Sequence, residues 1–496
     1  MKRTTWKKHH KWLGILFTFF MLMFCVSGLV LNHREAVADI NVDRTLLPSD
    51  YSFNRWNRGL IRGTLKYDCS MDELSGRVFI YGNSGIWKTD SAAAGFTDFN
   101  YGLPSGADFR NIKGMSQTID GSLWAAGQFD LYRYDVPEKK WIMQHLPLQE
   151  GEKISDITTG GDTLVVTGRS HLYISLPPYD DFEAYTIQPY DGYDGNVSLF
   201  RTIWMLHSGE MFGLTGKLVV DGVAVVLIVL CITGILYWLL PKHIRNLKRK
   251  GKDASTSVSL LRESFRWHNG LGRYTFFILM FVAFTGWCLR PPVLIALVSL
   301  DTPAIPHTEL DSDNPWNDRL RMLRYDSETE DWLLSTSEGI YSLSSLYSKP
   351  HKIEKAPPVS VMGMNVFHKD DDGSWLVGSF SGMFRWDRHA DSVTDYFTGE
   401  IAEETSGPPF GKFAVSGYSD DFLGTSMVVE YNEGTDIISM PDEFKYLPMS
   451  LWNLALEVHT GRIYTVLGQG TLIYIFFAGA IAMWCLYSGY VIRKRK

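Results

Sequence analysis

Four stretches of this chain are almost free of charge, and each is about 20 residues long, the length a helix needs to cross a hydrocarbon layer. They run Leu13–Leu31, Gly222–Leu240, Tyr274–Leu289 and Leu472–Ile492. Arg290-Pro291-Pro292 interrupts the third, and its apolar character then resumes as far as Leu300. Lipid offers no hydrogen bonds, so such segments must satisfy their own backbone as helices. Lys and Arg cluster at Lys2 to Lys11, between Lys242 and Lys252, and at Arg493-Lys494-Arg495-Lys496. Cytoplasmic loops collect such residues, so both termini are expected in the cytoplasm, with Asn32–Leu218 and Pro291–Gly470 outside. The first run is expected to be a retained span rather than a signal peptide, because no convincing small-residue cleavage site follows it. The overall net charge of −7 averages over these populations. Membrane lipid is an expected partner, and nucleic acid is not.

The spans and their flanks occur twice. His10-Lys11-Trp12-Leu13-Gly14, an apolar run and Ser27-Gly28 match His268-Asn269-Gly270-Leu271-Gly272, an apolar run and Thr285-Gly286, residue for residue in spacing. His207-Ser208-Gly209 with Gly216 matches His459-Thr460-Gly461 with Gly468 in the same way. One histidine at a membrane interface is usually a solvated amphipathic side chain. Four at matching positions in a duplicated unit predict two equivalent pairs, His10/His268 inside and His207/His459 outside. Neutral imidazole is a common axial ligand of haem iron, so two b-type haems are the expected cofactors. Gly14, Gly209, Gly272 and Gly461 would admit a bulky macrocycle, or else close helix packing.

His33 is a fifth candidate. It either tunes or replaces an outer ligand or is an interfacial histidine, and the second reading is preferred because the repeat has Pro291 near that point. His9 competes weakly with His10, and His243 is read as a lipid-headgroup contact. His145, His171, His307, His351, His368 and His389 show no metal-ligand spacing. Height is the difficulty. On a straight helix His207 would stand about 20 Å above the hydrocarbon edge, and His10 to His33 would span about 34 Å. A break near Gly213, Gly216 and Gly468 would bring the outer pair down. Lys217, Asp221, Glu210 and Arg462 are expected to pair with one another or with haem propionates, or simply to snorkel.

A second repeat fills the outer segments. Ser75-Gly76 to Trp87 resembles Asp120-Gly121-Ser122-Leu123-Trp124 to Tyr132, and further units end at Tyr173, Tyr341 and Phe384. Each is a turn, an alternating strand, a second turn and an aromatic strand, with a period of about 40 to 45 residues, as in propeller blades. The expectation is one β-propeller of about six to eight blades shared by both segments. The alternative is two separate β-rich domains. The Asp-Gly and Ser-Gly pairs are read as turns, and the Trp and Tyr residues as core.

The exclusions narrow the chemistry. Cys25, Cys231, Cys288 and Cys485 lie in apolar runs, and only Cys69 lies outside. No Cys-x-x-Cys-His exists for covalent haem, and no Cys cluster for zinc or iron–sulfur. No Gly-x-Gly-x-x-Gly sits between strand and helix, so electrons must come from a separate cytoplasmic donor or from quinol.

Trp6-Lys7-Lys8-His9-His10-Lys11-Trp12-Leu13-Gly14, Leu206 to Gly213, Trp267 to Gly272 and Val458-His459-Thr460-Gly461-Arg462 resemble the PepSY-associated transmembrane family. That family looks like inner-membrane proteins of iron uptake, among them haem-containing reductases of ferric siderophores. The resemblance implies bis-His haems that carry electrons outward to a ferric chelate, siderophore or haem iron. The small PepSY domains of the family are not recognisable here, and the propeller-like repeats stand in their place.

The expected fold is thus a duplicated four-helix membrane bundle plus an all-β periplasmic domain. Its divisions are 1–32 first span, 33–198 outer half, 199–241 outer histidine segment and second span, 242–266 basic cytoplasmic loop, 267–300 third span, 301–447 second outer half, and 448–496 outer histidine segment and fourth span. The expected function is a transmembrane ferric-chelate reductase of the bacterial inner membrane. The competing reading is a non-enzymatic propeller receptor or scaffold that binds a periplasmic protein or ligand.

Overall fold

The computed structural model describes residues 2–69, 73–358, 360, 363–402, 413–422, 424–468 and 470–493. The basic residues Lys494, Arg495 and Lys496 lie outside the described residues. Two compact units form, one from residues 1–37, 195–312 and 451–496 and one from 38–194 and 313–450.

The first unit is helical. Its helices are α1 (Arg3–Asn32), α2 (Leu199–Ser208), α3 (Gly213–Arg249), α4 (Ser255–Tyr274), α5 (Phe276–Cys288), α6 (Val293–Leu297), α7 (Leu451–Thr460) and α8 (Gly470–Arg493). Among the described residues, Arg3–Asn32, Glu210–Arg249 and Gly470–Ile492 are each long and apolar enough to cross a membrane. The pair α4 and α5, bent by 69° at Thr275, passes the same test together. Small residues let the helices close. Phe17 of α1 packs on Ala478 and Ala482 of α8, and Trp287 of α5 lies over Gly479 with its indole N–H donating to the Phe476 carbonyl at 3.2 Å.

The segment 242–266 departs from the loop read in the sequence. Helix α3 continues to Arg249 and α4 starts at Ser255, leaving only a short connection. Leu236, Leu240, Ile244 and Leu247 form an apolar stripe that packs against Ala254, Val258 and Leu261. The charges occupy the other face, as in an amphipathic helix.

The second unit is all β. Four-stranded antiparallel sheets span 63–98, 112–144, 154–185, 320–352 and 364–395, and a two-stranded sheet pairs Val415–Ser419 with Met427–Glu430. The first strands of successive sheets are neighbours, and Val415–Ser419 lies against both Met364–Lys369 and Gly63–Lys66. Polar side chains tie them together. Ser116 donates to Thr159 at 3.2 Å, Arg324 to the Phe367 carbonyl at 2.9 Å, and Asn365 to the Val415 carbonyl at 2.8 Å. The Thr64 and Ser419 hydroxyls are 2.7 Å apart. The Asp-Gly-Ser motifs are turns, with the N–H of Ser122 on Asp120 at 3.0 Å and that of Ser374 on Asp372 at 2.9 Å. Trp124, Tyr132, Tyr173, Tyr341 and Trp375 are buried in the core between sheets.

Candidate functional site

The outer histidines reach the bundle because the chain breaks where glycine permits it. Helix α2 ends at Gly209 with φ +84°, and a single 3₁₀ turn leads into α3. A Cβ on Gly209 would collide with the Gly216 carbonyl, so the break needs both glycines. Gly461 ends α7 at φ +77° in the same way.

The four repeat histidines then meet in two pairs. The ring centroids of His10 and His268 are 6.0 Å apart, and those of His207 and His459 are 6.1 Å apart. Each imidazole is held through Nδ1 by a backbone carbonyl on another helix. His10 bonds the Cys485 carbonyl at 3.0 Å, His268 that of Leu230 at 3.0 Å, His207 that of Val282 at 3.0 Å, and His459 that of Phe24 at 3.1 Å. A carbonyl only accepts, so Nδ1 carries the proton in all four and Nε2 carries the lone pair.

A hydroxyl three residues beyond each carbonyl approaches the same nitrogen. Ser488 lies 3.3 Å from Nδ1 of His10, Thr233 is 3.1 Å from His268, Thr285 is 3.4 Å from His207, and Ser27 is 3.0 Å from His459. These hydroxyls donate their own protons to carbonyls of their own helices, such as Met23 at 2.6 Å and Val229 at 2.6 Å. They therefore accept from Nδ1–H. The next residue is always glycine. A Cβ there would stand 3.4 Å from Cε1 of His459 at Gly28, 3.3 Å from His268 at Gly234, 2.6 Å from His207 at Gly286 and 2.9 Å from His10 at Gly489. Every receiving helix belongs to the other copy of the repeat, so neither copy alone completes a pair.

The sequence profile of the PepSY-associated TM region matches residues 1–240 and 149–496. The chain belongs to the PepSY-associated TM family. No curated protein is significantly similar to it. Among solved structures, the extracellular domain of BT4673 from B. thetaiotaomicron, described as a hybrid two-component system, matches at 10% identity and TM-score 0.37 over 75% of this chain and 32% of that one. The equivalent domain of BT3049 from the same organism matches at 10% identity and TM-score 0.35, over 76% and 39%. YCF48 from Cyanidioschyzon merolae matches at 10% identity and TM-score 0.33, over 75% and 80%. The chain thus spans about a third of the length of the first of these.

In this PepSY-associated TM protein, His33 stands apart from the pairs. Its Nε2 meets Asp221 at 2.7 Å, and Asn32 donates to the same carboxylate at 3.0 Å. Lys217 pairs with Glu210 at 3.2 Å and Arg462 with Glu457 at 2.6 Å. The glycines against the imidazoles are Gly28, Gly234, Gly286 and Gly489. Gly209 and Gly461 instead terminate helices, and a Cβ on Gly14 would meet open space. Thr233-Gly234 and Ser488-Gly489 escaped the sequence reading. The signal was present, since both are Ser/Thr-Gly steps like Ser27-Gly28 and Thr285-Gly286. Among the described residues, no group of three or more His, Cys, Asp or Glu is arranged to hold a metal ion.

Proposed function

We propose that this family member is a b-type cytochrome of the bacterial inner membrane, with one haem between His10 and His268 and a second between His207 and His459. The observation that carries this reading is the pair of ring separations. Two imidazoles sharing one metal through bonds of about 2.0 Å have centroids about 6 Å apart, and the two pairs stand at 6.0 and 6.1 Å. The donor set agrees. Each pair offers two nitrogens and no third protein ligand among the described residues, which leaves a bare ion short of ligands but suits a tetrapyrrole that brings its own four.

Bound there, haem would supply a one-electron couple whose potential its surroundings tune. The chain's own contribution is to orient the ligands. The carbonyls and hydroxyls lock the tautomer and raise the basicity of Nε2, and the glycines let each ring lie flush against a neighbouring helix. Bundle side chains such as Phe17, Phe20 and Phe24 keep water out.

The two pairs suit transfer across the membrane. Along α1, His10 and Phe24 are fourteen residues apart, or about 21 Å. That is much less than the 34 Å that a ligand at His33 would require. The remaining reading follows from this core. Helices α4 and α5 act together as the third of four spans, the basic flanks face the cytoplasm, and the six sheets are blades of one periplasmic propeller. Closure of the ring is supported by the strand Val415–Ser419 lying against Gly63–Lys66. Electrons from a cytoplasmic donor or quinol pass outward to a ferric chelate in iron acquisition, as the family resemblance implies. The test is a spectrum of the purified full chain after haem-replete expression. A reducible Soret and α-band at about two haems per chain is expected, one for each pair. Their absence refutes the cytochrome.

A further inference from the structure

We propose that Arg290 is the anion-binding residue of the outer histidine pair and grips a carboxylate lying beside the group held there. This rests on the haem reading above. Arg290 follows the end of α5, the helix whose Val282 carbonyl and Thr285 hydroxyl hold His207. Its Nη2 approaches the His459 carbonyl at 3.4 Å. One guanidinium therefore lies just past the end of the helix that receives one ligand and touches the backbone of the other.

Its charge is the anomaly. Around the outer end of the bundle Lys217 meets Glu210, Arg462 meets Glu457 and His33 meets Asp221. Arg290 meets no carboxylate among the described residues, although it is partly buried next to apolar helices. The carbonyl at the end of α7 offers only a partial negative charge at long range, and a guanidinium has five donors to satisfy. A planar bidentate anion is what such a fork fits, and a carboxylate is the simplest. The cation is specific to one copy of the repeat. The equivalent position after His10 is Asn32, a neutral side chain already bonded to Asp221 and to the Ser208 carbonyl.

The carboxylate has two sources, the haem's own propionate or a carboxylate chelator arriving from outside. Full-length wild type, Arg290→Gln and Arg290→Lys separate them by haem content, the midpoint potential of each haem, the resonance Raman bending band of the propionates, and KM for ferric citrate against a neutral ferric trihydroxamate. If the haem supplies the carboxylate, Arg290→Gln shifts the propionate band and lowers one midpoint, or loses one haem, while Arg290→Lys largely restores it and the KM ratio is unchanged. If the chelator supplies it, the spectra stay put and KM for ferric citrate alone rises by about tenfold or more. A wild type with two haems whose band, midpoints and KM values are all indifferent to Arg290→Gln overturns the proposal. A wild type without haem overturns the cytochrome reading first, and this proposal with it.

Discussion

The imidazoles of His10 and His268 face each other at 6.0 Å, and each is fastened to a helix of the other repeat, His10 to Cys485 on α8 and His268 to Leu230 on α3. The outer pair reproduces this at 6.1 Å, with His207 on α5 and His459 on α1. Duplication has produced two such pairs, each held in place by both copies.

Substituting one ligand should empty one site only. His268→Ala and His459→Ala should each leave about one haem per chain of the two expected, measured by pyridine haemochrome against protein. His10→Ala should match His268→Ala, and the double variant should be no worse, because the two residues serve one group.

The glycines behind the rings should form a graded series. An added methyl would lie 2.6 Å from His207 at Gly286 and 2.9 Å from His10 at Gly489, against 3.3 Å at Gly234 and 3.4 Å at Gly28. Gly286→Ala and Gly489→Ala should displace their imidazoles and deplete the outer and inner haem respectively. Gly28→Ala and Gly234→Ala should be milder. Equal haem contents across the four would refute the packing argument.

Removing a hydroxyl should loosen a ligand without losing it. Thr233→Val and Ser27→Ala leave the Leu230 and Phe24 carbonyls in place for His268 and His459. The expected cost is about 1 kcal/mol per site, read as a several-fold faster haem transfer to apomyoglobin.

Asp326 should govern the acid stability of the β unit. Burial alone would push its carboxyl up, but Lys369 at 2.6 Å, Arg388 at 2.6 Å, the Glu328 N–H and the Trp375 indole outweigh this and hold it well below the usual range. A depressed folded-state value means the stabilisation is full above the unfolded value of about 3.9 and fades as pH falls through the folded value. Asp326→Asn should therefore cost about 3 kcal/mol near neutral pH. The gap from wild type should shrink below about pH 4, followed by tryptophan fluorescence during denaturant unfolding.

Much of this molecule was legible along the chain. The apolar runs, the matched histidines and the aromatic strand repeats are linear patterns, and each maps onto an element that forms largely from local periodicity. In segment 242–266 the Lys and Arg residues mask, at the level of sequence, the helical stripe that runs from Leu240 through Ile244 and Leu247. Thr233-Gly234 and Ser488-Gly489 do not stand out in the sequence because nothing in a single helix says which neighbour it faces.

The chain alone thus singled out His10, His207, His268 and His459, since their type and spacing are properties of the sequence. Their height and their partners were decided by tertiary folding. The break at Gly209 and Gly213 depends on backbone conformations that bring His207 alongside Val282 rather than far above the spans. Pairing a histidine of one copy with a carbonyl of the other depends on contacts between different helices, 38 positions apart for His268 and Leu230 and 475 for His10 and Cys485. Local propensity carries no information about such contacts, because they arise only when small residues allow the helices to close.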